Sequence, residues 1–336
     1  MEKRYLSVLR TAGWAALAAA AVTFGVAFTP LRAVEGFALL VALPDRLLAL
    51  GSGVVAVAAG LLARRDRDAW RRWLLLAGVG LVLSAAFAGR VVSQGLANPT
   101  PAIPEPGLRI LSWNAQGVPP GEIAERAYEV IKPRDVDVLV LPEGLAEQVS
   151  EQLGALGWSH ELFDVTGTAA LVRSDLARDA GYKVLPGNPP WAGLTVAPEH
   201  PTATTPVIVA AHVQQPSPGN VAVRNEHLDW VRSVCEGDYV IAVGDFNSTL
   251  NHLDGGRIGR CADVASAVGA GATATWPTWL PSWMGISIDR ALVSPPYAPG
   301  RFSFEVLYDV DTSGGQGWGM GEGSDHWPIL VEAPAN

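Results

Sequence analysis

Three long apolar segments without a charged residue dominate the first hundred positions: Thr11–Thr29, Leu47–Ala63 and Trp73–Gly89. A helix needs about 20 apolar residues to cross a bilayer, and apolar residues flanking the second and third segments extend them toward that length. We therefore predict a transmembrane region over 1–97, with helices at about 11–29, 47–63 and 73–95. A secretory signal peptide is an alternative for the first segment, but it does not explain the other two.

The basic residues beside these segments predict their orientation, because short cytoplasmic loops are enriched in Lys and Arg. Three basic residues precede the first segment, and Arg64–Arg72, after the second, contains five arginines. After the third segment no basic residue lies between Arg90 and Arg109. With the basic ends in the cytoplasm, three crossings predict a multi-pass protein of the cell membrane whose C-terminal part is extracellular or periplasmic.

A segment with four prolines, 98–107, follows the transmembrane region. It predicts a semi-rigid extended spacer and the boundary of a catalytic domain at 108–336. There, short β-rich runs alternate with amphipathic stretches, which is typical of a layered α/β domain with two packed sheets. The predicted strands are Leu108–Trp113, Asp137–Leu141, Ala169–Arg173, Pro206–Ala211, Tyr239–Val243, Ile286–Val293, Phe302–Val310 and Pro328–Val331. The predicted helices are Glu122–Lys132, Leu145–Leu156 and Val221–Cys235.

Charge is distributed as unevenly as hydropathy along the 336 residues. Residues 101–336 hold 13 Lys and Arg against 28 Asp and Glu, which is a formal charge of −15. An acidic surface repels polyanions and lacks the basic residues with which nucleic-acid-binding proteins contact phosphates. Nucleic acid is therefore a less favoured partner than a small or lipid-linked molecule.

The two cysteines, Cys235 and Cys261, lie on either side of the strand predicted at Tyr239–Val243. Two ligands are too few for a zinc site. One interpretation is two unrelated buried residues. The other is a disulfide, which the predicted extracytoplasmic location favours because disulfides persist in oxidising compartments.

Polar residues recur at or next to the ends of the predicted strands. They are Asn114, Glu143, His212, Asp245, Asn247, Asp289, Asp325 and His326. Hydrophobic strands that end in such residues can form one polar rim above a packed core. Hard divalent cations prefer oxygen ligands, and phosphoester hydrolysis requires a metal ion, a positioned water and charge stabilisation.

This ordered series resembles the endonuclease/exonuclease/phosphatase superfamily, whose members include deoxyribonucleases, abasic-site endonucleases, sphingomyelinases and inositol-polyphosphate phosphatases. The resemblance extends over about 108–331 and rests on Trp113-Asn114, Glu143, His212, Gly244-Asp245-Phe246-Asn247, Ile288-Asp289 and Ser324-Asp325-His326-Trp327-Pro328. It implies a four-layer α/β/β/α sandwich. It also implies a hydrolase of phosphate esters in which water attacks phosphorus in line.

The resemblance implies that Glu143 is the principal ligand of Mg²⁺ (or Mn²⁺), with Asp325 beside the metal and Asn114 close to the metal or the phosphate. Many relatives have Gln immediately before this glutamate, where the present chain has Pro142. That departure removes no catalytic group, although it is able to reshape the pocket.

The remaining residues of the series have catalytic roles in such a site. Asp245 orients or deprotonates the attacking water, and Asn247 helps to place it. His326 contacts the scissile phosphate while Asp289 fixes the tautomer and orientation of its imidazole. His212 donates a hydrogen bond to a phosphate oxygen, so that the developing charge is stabilised.

Two further features concern substrate binding. Arg290 stands where many relatives have His, and it adds a permanent cation that is able to bind a phosphate. The loop Thr275–Met284 contains three tryptophans and one methionine. It is able to contact lipid at the interface, or, with Trp276 as a substrate-binding residue, to cover the active site.

Three functions remain open from the sequence. The favoured one is a metal-dependent hydrolase of phosphate esters, acting outside the cytoplasmic membrane on a small or lipid-linked phosphodiester or phosphomonoester. An extracellular nuclease is the second, and the acidic domain argues against it. The third is a non-catalytic membrane scaffold that retains the fold, which the complete set of catalytic groups disfavours.

Overall fold

The computed structural model describes residues 2–165, 167–313 and 323–335, and the chain divides into two compact units, Met1–Gln94 and Gly95–Asn336. The helices of the first unit are α1 (Glu2–Val26), α2 (Phe37–Val41), α3 (Asp45–Ala63) and α4 (Trp70–Gln94). Three of them, α1, α3 and α4, are long and apolar enough to cross a membrane, with mean hydropathies of 1.4, 1.9 and 2.0. They correspond to the three predicted spans, although α1 begins earlier because the basic N-terminal residues are helical.

Ion pairs join the helices of the first unit at its two ends. At one end Lys3 Nζ lies 2.8 Å from Asp68 Oδ2, so the N-terminus of α1 is next to the loop between α3 and α4. Arg90 of α4 and Asp45 at the start of α3 form a second pair, with Arg90 Nη2 2.5 Å from Asp45 Oδ1.

The second unit contains two β-sheets. In spatial order the first sheet consists of β12 (Ser303–Val306), β13 (Ile329–Pro334), β1 (Pro106–Ser112), β2 (Val138–Pro142), β4 (Thr168–Arg173) and β3 (His160–Val165). The second consists of β5 (Lys183–Val184), β6 (Gly193–Ala197), β7 (Val207–His212), β8 (Val240–Asp245), β11 (Asp289–Val293), β10 (Cys261–Asp263) and β9 (Arg257–Ile258). The helices are α5 (Pro120–Arg134), α6 (Ala146–Ala155), α7 (Ser174–Ala180), α8 (Val221–Val234) and α9 (Val264–Ala267).

Alternation along the strands produces the layers, because successive side chains of a strand point to opposite faces. Ile110 of β1 packs with Ile241 of β8 in the core between the two sheets. Its neighbour Leu111 points the other way, into a second core formed with α5 and α6. A third core lies between the second sheet and α8. The predicted four-layer α/β/β/α sandwich is therefore confirmed.

The proline-rich segment, for which a semi-rigid extended spacer is predicted, is hydrogen-bonded to β12. Asn98 Nδ2 donates to the carbonyl of Val306 and Asn98 Oδ1 accepts from its amide. Thr100 pairs with Phe304 in the same way, through its backbone amide and its hydroxyl. The physical reason is that β12 is an edge strand, whose unpaired backbone groups bind an adjacent extended segment. The segment thus belongs to the second unit, which begins at Gly95.

Cys235, at the end of α8, and Cys261, at the start of β10, form a disulfide. Of the two interpretations left open by the sequence, the disulfide is therefore correct. The bond closes a loop with a sequence separation of 26. Because a cross-link of this span restricts the unfolded chain, we expect its reduction to lower the free energy of unfolding by about 2–4 kcal/mol.

Unfolding with and without reductant measures this effect. The double variant Cys235→Ala/Cys261→Ala is the control, because its stability should not respond to reductant. Equal stability of the oxidised and reduced wild-type protein would contradict the expectation.

Candidate active site

The topology brings the polar strand ends to one edge of each sheet. In the first sheet β1 and β2 are parallel, so Asn114 and Glu143 follow neighbouring carboxyl ends. The antiparallel strand β13 pairs Ile329 with Ser112, and the residues preceding β13 therefore lie beside Asn114. In the second sheet β7 and β8 are parallel with His212 opposite Asp245. Asp289 begins β11 and pairs directly with Asp245.

Both sheets contribute residues to the site, and the side chains of these residues contact one another across the space between the sheets. Asn114 Nδ2 lies 3.1 Å from Asp245 Oδ2 and 3.2 Å from Glu143 Oε2. His212 Nε2 lies 3.3 Å from Glu143 Oε1. The structure thus assembles into one site the residues that the sequence analysis took from separate motifs.

The site has a buried floor and an accessible rim. The side chains of Asp245, Asp289 and His326 are 1%, 2% and 7% exposed. Those of Glu143 and Asp325 are 30% and 33% exposed. Solvent and small ligands therefore reach the carboxylates of the rim first, while the floor is shielded from bulk water.

His326 and Asp289 form the central pair of the floor. His326 Nδ1 lies 2.9 Å from Asp289 Oδ2, and Nε2 lies 3.7 Å from the nearest carboxylate oxygen of both Asp245 and Asp325. Burial alone lowers the pKa of the imidazole, but attraction to Asp289 and Asp245 outweighs burial and raises that pKa to about 10. His326 is therefore a buried imidazolium whose free N–H is directed between two carboxylates.

Asp245 is the most enclosed carboxylate of the site. Its Oδ1 accepts the backbone amide of Asn247 at 2.7 Å, and the Asn247 side-chain amide lies 3.1 Å from Oδ2. Burial raises the pKa of Asp245 to about 6, and the imidazolium of His326 partly offsets that rise. A carboxylate in this state is a stronger base than an exposed aspartate.

Two site residues have backbone angles that are uncommon outside glycine. Glu143 has a φ of 54° at the end of β2, and Asn247 has a φ of 45° after β8. The amide of Glu143 donates to the carbonyl of Gly167 at 2.8 Å, which holds this conformation. Non-glycine residues in the left-handed region concentrate at functional sites, because the surrounding structure must stabilise them there.

Asp325 and His326 are fixed by hydrogen bonds from Trp276 and Ser324. The indole N–H of Trp276 donates to Asp325 Oδ2 at 2.8 Å. The hydroxyl of Ser324 donates to the carbonyl of Asn114 and accepts the amide of His326. Trp276 thus orients a rim carboxylate, and substrate contact by its ring remains a prediction. Trp279 and Trp283 of the same loop are 45% and 53% exposed, so lipid contact also remains a prediction.

Arg290 does not offer the free cation expected from the sequence. Its guanidinium is 1% exposed, and Nη1 lies 2.9 Å from Asp263 Oδ2. Nε and Nη2 donate to the carbonyls of Ser248 and Ser287. Arg290 follows Asp289 in β11, so its side chain points to the face of the strand opposite that of Asp289. The expectation that it binds a substrate phosphate is therefore corrected.

Asn114 also differs from the metal ligand that the sequence analysis expected. Its amide nitrogen faces Glu143 and Asp245, while its oxygen accepts the backbone amide of Gln116 at 3.2 Å. In this arrangement Asn114 holds the two carboxylates together by donating to both. A direct contact between its oxygen and a metal ion requires a different orientation of the amide.

The donor set of the rim fits a hard divalent cation. Glu143 and Asp325 supply accessible carboxylate oxygens, which such cations prefer. Asp245, Asp289 and His326 also bring potential ligand atoms within 4.8 Å of one another. In that trio, however, Nδ1 of His326 is paired with Asp289, and all three side chains are buried. Glu143 and Asp325 are therefore the better ligands.

With this geometry the chain belongs to the endonuclease/exonuclease/phosphatase family, whose model matches residues 111–326. Members of the family are hydrolases that act on phosphate esters and generally depend on divalent metal ions. No curated protein matches the chain.

Several solved structures are similar in fold. Humanized TDP2 from D. rerio is 18% identical, with a TM-score of 0.47, and the match covers 67% of this chain and 98% of that one. A mannosyl-6-phosphatase from Bacteroides thetaiotaomicron is 17% identical, with a TM-score of 0.46 and coverages of 67% and 98%. The endonuclease domain of the telomere-specific retrotransposon TRAS1 is 15% identical, with a TM-score of 0.45 and coverages of 69% and 99%.

Proposed function

We propose that this chain is a membrane-anchored hydrolase that uses a divalent cation, Mg²⁺ or Mn²⁺, to cleave small or lipid-linked phosphate esters outside the cytoplasmic membrane. One observation carries the proposal. Two accessible carboxylates, Glu143 and Asp325, stand above a buried imidazolium, His326, whose Nε2 is directed between the carboxylates of Asp245 and Asp325. Such a site presents carboxylate ligands for a cation, a base and a cationic hydrogen-bond donor.

In the proposed mechanism Glu143 and Asp325 would hold the cation. Asn114 donates hydrogen bonds to Glu143 and Asp245 and so fixes the positions of these two carboxylates. The cation supplies Lewis-acid polarisation of a phosphoryl oxygen when it is bound. Asp245 accepts the proton of the attacking water. Its pKa of about 6 makes it effective near neutral pH, because a base works best when its pKa is close to the ambient pH.

The two histidines act on the phosphate. His326 donates its Nε2 proton to a phosphate oxygen, and Asp289 keeps the imidazole protonated and correctly oriented through Nδ1. His212, on the rim beside Glu143, donates to a second phosphate oxygen. These donors stabilise the negative charge that develops as water adds to phosphorus and the ester oxygen leaves.

Charge supports a small or lipid-linked substrate over nucleic acid. The catalytic part carries a formal charge of −15, so a long polyanion meets repulsion where nucleases offer contacts to several phosphates. The three apolar helices add support for a substrate near the membrane. A preference for DNA would favour the nuclease alternative instead.

The test uses the purified full-length chain in detergent with Mg²⁺ or Mn²⁺. Its kcat/KM is compared for phospholipid head-group esters, sugar phosphates, and duplex and single-stranded DNA at one salt concentration. We expect a clear preference for one of the small or lipid-derived esters and complete loss of activity in EDTA. A higher kcat/KM for DNA, or activity that survives EDTA, would contradict the proposal.

Removal of the Glu143 charge tests the assignment of the metal ligand. We expect Glu143→Gln to weaken metal binding, measured calorimetrically, and to reduce kcat/KM by roughly 10²–10³-fold, the size expected for loss of one group that stabilises the transition state. Glu147→Gln is the matched control, because Glu147 is an exposed glutamate in the first turn of α6. Wild-type metal affinity in Glu143→Gln would show that the ligand lies elsewhere.

The proposed orientation has a direct test, because the chain contains three lysines. Lys132 and Lys183 lie on exposed surface of the catalytic unit, and Lys3 lies at the N-terminus of α1. A membrane-impermeant amine reagent applied to intact cells or spheroplasts is expected to label Lys132 and Lys183 but not Lys3. The reverse pattern of labelled peptides would place the catalytic unit in the cytoplasm.

A further inference from the structure

Trp191 combines high exposure with an unfavourable backbone conformation. Its side chain is 65% exposed, more than Trp279 or Trp283. The residue has a φ of 64° in a turn that the amide of Ala192 closes on the carbonyl of Pro189 at 3.2 Å. The third position of such a turn favours glycine, because other residues are strained there. Burial of the side chain therefore does little to offset the cost of this backbone conformation. Strained residues of this kind are concentrated at functional sites.

Backbone contacts place Trp191 next to the rim of the active site. Its six-membered ring lies against Gly167, where a Cβ atom would be 3.4 Å from the ring. The carbonyl of Gly167 accepts the amide of Glu143 at 2.8 Å. On the other side the carbonyl of Ala192 accepts the amide of His212 at 2.8 Å. Gly167 and Ala192 are therefore hydrogen-bonded to Glu143 and His212. The Oε1 atom of Glu143 and the Nε2 atom of His212 lie 3.3 Å apart.

We propose that Trp191 is a substrate-binding residue whose exposed indole contacts an apolar or aromatic face of the organic group of the ester. The inference deepens the proposed phosphoesterase function and rests on it, because His212 is taken to donate to the phosphate and Glu143 to hold the cation beside it. A phosphate bound between that cation and His212 would lie beside the flank of the site that Gly167 and Trp191 form. Indoles bind flat and apolar faces by stacking and edge contacts.

The turn gives the indole a rigid platform. Pro189 and Pro190 precede the tryptophan and restrict the backbone on that side. On the following side β6 begins at Gly193 and pairs with β7, the strand that ends in His212. The backbone that carries the indole is therefore fixed relative to His212, which reduces the part of the site that substrate binding has to order.

Two phosphonates provide the test, because phenylphosphonate and methylphosphonate share the anionic group and differ in the aromatic ring. Their affinities for the full-length chain in detergent are measured calorimetrically in the presence of Mg²⁺. We expect Trp191→Ala to weaken phenylphosphonate binding by roughly 3- to 10-fold, the size of an aromatic contact. Methylphosphonate binding should remain unchanged. Leu185→Ala is the control, since Leu185 is an exposed apolar residue that also precedes β6.

Two further variants separate substrate contact from a structural role. Trp191→Gly removes the same indole but tolerates the positive φ. We therefore expect it to lose the preference for phenylphosphonate as Trp191→Ala does, while unfolding at a higher temperature than Trp191→Ala. Trp191→Phe keeps an aromatic face and should retain most of the preference.

The outcomes distinguish this inference from the function on which it rests. An unchanged ratio of phenylphosphonate to methylphosphonate affinity in Trp191→Ala overturns the role of Trp191, whereas hydrolysis by the wild-type chain still supports the proposed function. Absence of ester hydrolysis and of phosphonate binding in the wild-type chain overturns both. Loss of the preference in Trp191→Ala and Trp191→Gly, with wild-type behaviour in Leu185→Ala, supports the proposal.

Discussion

Replacing His326 by glutamine is expected to lower kcat by at least about 10²–10³-fold while leaving the affinity for the divalent cation largely intact. The imidazolium is 7% exposed on its side chain and is paired with Asp289, so its Nε2 proton is a fixed donor in a site shielded from water. Such donors contribute most when they are oriented before the reaction begins. Glutamine is similar in size but carries no charge and no second ring nitrogen.

A double-variant cycle tests whether His326 and Asp289 act as a unit. Asp289→Asn should reduce kcat strongly because the asparagine does not stabilise an imidazolium. In the double variant we expect a loss no greater than that of His326→Gln alone, since groups that act together give non-additive effects. His200→Gln, at an exposed position of the same unit, is the control and should retain full activity. Additive losses would indicate that the two residues contribute independently.

The sequence predicted the fold well where local patterns determine it. Strands such as Leu108–Trp113 and Tyr239–Val243 are runs of buried apolar residues, and their observed ranges differ by a few residues. The structure adds five strands that were not predicted, namely β3 (His160–Val165), β6 (Gly193–Ala197) and the short strands β5, β9 and β10. β3 is an edge strand with only partly buried side chains, so its pattern is weak. The short β6 contains a glycine, which is uncommon inside strands.

The predicted site residues come together because the carboxyl ends of β1, β2, β7 and β8 and the amino ends of the antiparallel strands β11 and β13 reach the same edge. The sequence was less informative about the direction in which individual side chains point. Arg290 adjoins Asp289, and only the pleat of β11 shows that the two side chains diverge. Thr275 and Trp191 had no recognisable signal, because their contributions are hydrogen bonds or contacts to residues distant in sequence. Thr275, for example, accepts the amides of Ile288 and Asp289 through its hydroxyl.

Replacement of Arg290 by methionine is expected to destabilise the catalytic unit by about 3–5 kcal/mol, the cost of leaving a buried charge without its partner. The Asp263 side chain is fully buried, and Arg290 is the cation paired with it. Methionine approximates the length of the arginine stem but removes the guanidinium. The carbonyls of Ser248 and Ser287 lose their donors as well. Thermal unfolding of the full-length chain in detergent measures the loss.

Removing the opposing charge as well should restore much of that stability. Asp263→Asn is the appropriate second change, because Asp263 Oδ1 also accepts the amide of Ser266 at the start of α9, and asparagine is able to keep that bond. Asp263→Asn in the wild-type background is the control for the loss of the aspartate charge alone. We expect the double variant Arg290→Met/Asp263→Asn to unfold well above Arg290→Met.

Activity should fall in Arg290→Met for a reason unrelated to substrate charge. Ser248 directly follows Asn247 and accepts hydrogen bonds from two buried guanidinium groups. Arg290 donates to the carbonyl of Ser248, and Arg224 donates to the hydroxyl of Ser248. Loosening Ser248 releases the turn that places Asn247 beside Asp245, so kcat is expected to decline more than KM rises. A variant that unfolds at the wild-type temperature and shows only a raised KM would instead support direct phosphate binding by Arg290. The burial and the three hydrogen bonds of the guanidinium argue against that outcome.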